Sequence, residues 1–120
     1  MRKGAGRRGT LLTIIAAPAA AIWASIRDVA RYADWRDELE AVEVLEPDQG
    51  RERWCERSIQ RAITFVVSVD EPPHHFAARI VDDDHADTAE WRWTVLADGD
   101  AARVTIGKRG RISNPVMRFV

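Results

Sequence analysis

The chain predicts an α+β fold: a strongly curved, seven-stranded antiparallel sheet accompanied by two short helices. Three observations carry that expectation. Seven runs alternate apolar and polar residues, the period of a half-buried strand. Turn-forming sequences, PDQG at 47–50, EPP at 71–73 and ADGD at 97–100, separate several of them. Helical spacing is confined to two short amphipathic stretches between Pro18 and Trp35.

Taken in order, residues 1 to 9 form a basic lead with no apolar pattern and are expected to be disordered. Strand one covers Thr10 to Ala16. Helix one runs from Pro18 to Arg27 and buries Ile22, Trp23, Ile26 and Val29. Asp28 is placed to cap a second helix ending in Tyr32 and Trp35, which share a face. Val42 and Val44 alternate with Glu43 in strand two. Strand three, RERWCERS, sets Trp54 and Glu56 against Arg53, Cys55 and Arg57. Strand four, AITFVVSV, is read with Ile63, Phe65, Val67 and Val69 on one face, and the prolines after it end its ladder. Strand five, HFAARIV, turns Phe76, Ala78 and Ile80 inward. Strand six does so with Trp91, Trp93 and Val95, and strand seven with Val104, Ile106 and Lys108. The tail SNPVMRFV has the cap and first-turn proline of a helix start.

At 120 residues this is one domain, 10–120, with enough chain for a single core. A formal net charge of -1 argues against a general nucleic-acid binder. The one cysteine, Cys55, requires no oxidising compartment, so a cytoplasmic setting is expected. The basic start followed by an apolar stretch imitates a signal peptide or a membrane span. Pro18 interrupts that stretch, which falls short of the roughly 20 residues a span needs, and strand plus helix explain more of its positions.

Four segments, APAAAIWASIRDVARYADW at 17–35, Trp54-Cys55-Glu56, EWRWTVLADGD at 90–100 and VTIGKRGRISNPVMRF at 104–119, together resemble the START-related SRPBCC superfamily and its polyketide cyclase/dehydrase-like members. The resemblance implies a helix-grip fold, in which the sheet grips a long C-terminal helix around a hydrophobic cavity. Here only the start of that helix, from Pro115, is present, and Lys108 stands where relatives often carry a glutamate.

The cavity lining expected from strand alternation is Trp54, Phe65, Val67, Phe76, Ala78, Ile80, Trp91, Trp93, Ile106 and Lys108, a predominantly apolar surface suited to a hydrophobic small molecule such as a lipid, polyketide or aromatic compound. Glu56 on the same face is the candidate catalytic acid or base for a cyclisation or dehydration; its structural alternative is an ion pair, with Lys108 the first partner considered. Trp23 and Trp35 are read as packing helices onto the sheet. The acidic loop at 82–87 lacks calcium-loop spacing, and His74 and His75 lack zinc-ligand partners, so no metal or other cofactor is expected. No phosphate loop or nucleophile elbow occurs. Carriage and catalysis both stay open, since one fold supports either. A rival reading uses the outer face, where Arg53, Arg57, Arg79, Arg92, Arg103 and Arg109 would form a basic stripe docking an anionic partner, an acyl carrier protein or a membrane surface.

Overall fold

The computed structural model describes residues 8–81 and 89–109. The basic lead, the acidic loop and the assigned C-terminal helix fall mainly or wholly outside them. Strands β1 (Arg8–Ile15), β2 (Ala41–Asp48), β3 (Arg51–Arg57), β4 (Ala62–Glu71), β5 (His75–Ile80), β6 (Glu90–Asp98) and β7 (Ala101–Arg109) form one antiparallel sheet in the order β1-β7-β6-β5-β4-β3-β2. Helices α1 (Ala19–Arg27) and α2 (Tyr32–Trp35), joined through a 3-10 turn at Val29–Arg31, fill the crossover between β1 and β2. The expected curved seven-stranded antiparallel sheet with two short helices is what the chain forms.

Tight connections set the strand order. Gln49 and Gly50, both at positive φ, make the two-residue turn between Asp48 and Arg51, a conformation whose twist suits a hairpin. Gly99, also at positive φ, turns β6 into β7. Helix α1 starts at Ala19, with Pro18 before it in extended conformation. The expected second helix divides: Val29–Arg31 is a 3-10 turn and α2 a single α turn. Asp28 does not cap it. Its side chain makes no cap hydrogen bond and instead lies 3.6 Å from Arg31.

Concave-face side chains meet α1, which packs on β6 and β7. Ile22, Ile26, Val29, Val95, Val104 and Ile106 are almost wholly buried in that layer. One face assignment is corrected. The register shifts between Val67 and Val69, so Val69 pairs with Ala77 while Asp70 pairs with Phe76 and joins the concave side. There Asp70 receives a two-pronged contact from Arg27 of α1, at 3.2 and 3.0 Å, and Arg27 also meets Glu52 at 2.7 Å. The same guanidinium lies 4.9 Å from the centre of the Phe76 ring. Without the bulge, alternation would turn Asp70 to the convex face, away from α1.

Candidate functional site

The chain leaves α2 at Arg36, whose extended backbone ends the helix while its N–H still bonds the carbonyl of Tyr32 at 2.9 Å. One helical turn separates the two residues, so both side chains point to the sheet. Arg36 is 8% exposed and meets Glu56 of β3, itself 6% exposed. Its Nη1 donates to Glu56 Oε2 at 2.9 Å, and its Nε and Nη2 lie 2.9 and 2.7 Å from Glu38 Oε2. Trp54 Nε1 donates to the same Glu56 oxygen at 2.9 Å. Glu56 Oε2 is thus fixed by two donors.

Burial works against the Arg36 charge, but Glu56 and Glu38 outweigh it and hold the guanidinium above its ordinary pKa. Tyr32, fully buried beside this pair, has its phenol pushed far up, first by burial and then by the negative charge of Glu56. Its hydroxyl donates to the carbonyl of Ile26. Its ring stands edge-on to Trp54 at 6.0 Å, and Arg36 lies 5.5 Å above it. Trp54 in turn stacks on Phe65 and Phe76, with ring centres 5.4 and 6.3 Å away.

Two cavities meet at this cluster. The deep one, walled by Tyr32, Trp54, Phe65, Phe76, Trp91 and Trp93, holds only about 20 Å³, the space of one water. The outer one opens to solvent and reaches about 450 Å³, within the range of small-molecule sites. Arg36, Glu56, Phe65 and Trp91 line both, so the ion pair sits at their junction. The rest of the outer wall comes from the α2–β2 connection, Asp37 to Glu40, and from the β3–β4 turn, Ser58 to Arg61, with Ile63 beside it.

Of the residues read from alternation, Trp54, Glu56, Phe65, Phe76, Ala78, Trp91 and Trp93 come together around the deep cavity. Val67, Ile80, Ile106 and Lys108 line neither cavity. Val67 and Ile106 are buried in the core with Ile80 packed against it, and Lys108 lies opposite Trp91 at the open end of the concave face. The buried cation beside Glu56 is Arg36 rather than Lys108. Strand periodicity could not find Arg36, because it lies on no strand. Its signal was helical: four residues after Tyr32, it is the only basic residue between Arg31 and Arg51. The outer-cavity loops carried no periodic signal at all. Trp23 and Trp35 do pack from the helices, edge-on to Phe76 at 6.3 Å and Trp93 at 6.4 Å. On the convex face Arg57, Arg92 and Arg103 have carboxylate neighbours in Glu43, Glu90 and Asp98, at 2.9, 3.5 and 3.5 Å. Among the described residues no cluster of three or more His, Cys, Asp or Glu side chains is arranged to hold a metal, and no helix is long and apolar enough to cross a membrane.

The site is thus a curved sheet with an aromatic concave face, an open cavity and a buried ion pair where that cavity meets the deep one. Residues 10–120 match the family model described as polyketide cyclase / dehydrase and lipid transport, and the chain belongs to that family. Among solved structures it is similar to the Zhui aromatase/cyclase from a Streptomyces species, with 23% identity over 90% of this chain and 70% of that one, at a TM-score of 0.69. A START superfamily protein from Mycobacterium smegmatis is 21% identical over 94% of this chain and 82% of its own, at a TM-score of 0.71. No curated protein matches the chain.

Proposed function

We propose that this protein binds a hydrophobic small molecule, a lipid, polyketide or aromatic compound, in the outer cavity with its polar end at Glu56, and that Glu56 is the acid–base group for a cyclisation or dehydration of that molecule. The observation that carries this reading is the state of Glu56 at the cavity junction. One oxygen is held by Trp54 and Arg36, and the carboxylate lines both the deep and the outer cavity. A carboxylate so oriented can take a proton from a carbon beside a ketone and return one to a departing hydroxyl. The family description and the aromatase/cyclase neighbour support the reaction class. The deep cavity is too small for a ring, so the ligand stops at the ion pair, its body lying between Phe65, Trp91, Ile59 and Ile63.

Native mass spectrometry of the purified protein, followed by titration with a fluorescent hydrophobic dye, tests binding. Saturable binding, weakened by Ile59→Asp at unchanged melting temperature and also by Ile63→Asp, is expected. Dye binding insensitive to both changes refutes the cavity assignment. For catalysis, Glu56→Gln is expected to abolish turnover of a cyclisable poly-ketone while ligand affinity changes little. Turnover surviving in that variant would remove Glu56 from the chemistry.

A further inference from the structure

We propose that β1 is an interface through which two copies of this chain pair edge to edge. Strand β1 ends the sheet and has only β7 beside it among the described residues. An end strand directs backbone N–H and C=O groups outward without ladder partners, which makes it a template for another strand. The opposite edge is protected against this. Strand β2 carries Glu43, Glu46, Pro47 and Asp48, and its register breaks between Leu45 and Asp48. Beyond Arg8 at its start, strand β1 has none of these devices. Its register with β7 is unbroken from Arg8 to Ile15, and no charged residue occurs from Gly9 to Ile26. Leu12 and Ile14, on the convex face opposite Thr105 and Arg103, are 57% and 53% exposed, and Leu11 on the concave face is 41% exposed.

The order of residues points to a second copy as the occupant. Leu11-Leu12-Thr13-Ile14-Ile15 has the same character read in either direction: two aliphatics, a threonine, two aliphatics. Two copies extending one sheet about a two-fold axis normal to it run antiparallel, and directly opposed residues must share a face. The register centred on Thr13 meets that condition. It sets Leu12 against the partner's Ile14 and Leu11 against the partner's Ile15, each twice, with the two Thr13 residues facing one another. Such aliphatic and Thr–Thr cross-strand pairs stabilise a ladder. The nearest alternative, centred on Leu12, would set Ile14 against the partner's Thr10 and lose the match. An unrelated partner strand would impose no such symmetry on this sequence.

A ladder this short buries less than the roughly 800 Å² per partner of a standard interface, so the pair is weak and concentration-dependent. Sedimentation equilibrium of the full chain is expected to show a mass rising from 13.5 kDa towards twice that value as concentration increases. Ile14→Lys is expected to weaken association by about tenfold or more, since the two-fold axis applies the change twice. Thr13→Cys in a Cys55→Ser background is expected to form a disulfide-linked dimer under mild oxidation, and this arm decides the matter should Ile14→Lys fail to fold. A constant monomer mass, a dimer unaffected by Ile14→Lys, or a dimer that leaves the introduced thiol unlinked each overturns the proposal.

Discussion

Replacing Arg36 by methionine tests the buried cluster most directly. Methionine fills much of the space of the arginine stem but takes the guanidinium away from the Glu56 carboxylate, which is 6% exposed and keeps Trp54 Nε1 as a donor. Removing one partner of a buried pair costs about 3–5 kcal/mol, because the remaining charge stays desolvated. The reverse change is milder. In Glu56→Gln the amide oxygen still accepts from Trp54, and Arg36 keeps its two contacts to the half-exposed Glu38, so a loss of about 1–3 kcal/mol is expected. The double variant Arg36→Met with Glu56→Gln removes both charges and should recover much of the larger loss, giving a coupling of about 1–3 kcal/mol. Urea denaturation followed by tryptophan fluorescence measures all four corners of the cycle, with the slope checked for constancy. The domain as a whole has about 5–15 kcal/mol to lose, so the Arg36→Met transition should move far toward low urea. Equal costs for the two single changes, or losses that add in the double variant, would refute the assignment of Arg36 as the buried partner of Glu56.

Two further outcomes follow from neighbouring contacts. Tyr32 is the only tyrosine in the chain, so phenolate absorbance reports it alone. Because its folded pKa is raised above the ordinary 10.0, its contribution to stability is intact below that value and falls as pH rises beyond it, by about 1.4 kcal/mol per unit. The phenolate should therefore appear only together with unfolding, and a titration near the ordinary value in the folded protein would contradict its burial. Arg27→Met should cost about 1–2 kcal/mol, since its carboxylate partners are one-third exposed and screened while its stacking on Phe76 adds a little. A neutral change would mean that α1 is held by its apolar face alone.

Strand identity, inward-facing aromatics and the pairing of Trp54 with Glu56 on one face were legible in the sequence. They depend on alternation, a local property that every strand declares for itself. The same rule misplaced Val69, because a bulge inserts one residue and reverses the faces beyond it without a local signal. Val67, Ile80 and Ile106 share the inward face with the cavity residues, and only the packing around them and of α1 across β6 and β7 makes them core or its neighbours.

The class of fold and the aromatic concave face could be read without any tertiary information, since hydrophobic period and turn chemistry act over a few residues at a time. Tertiary structure alone decided that Arg36, from a helix end, reaches Glu56 twenty residues away on β3, and that two loops join strand residues in walling the open cavity. The physical reason is that a buried charge takes whichever opposite charge the fold brings within about 4 Å, and that choice depends on how helix and sheet dock rather than on spacing along the chain.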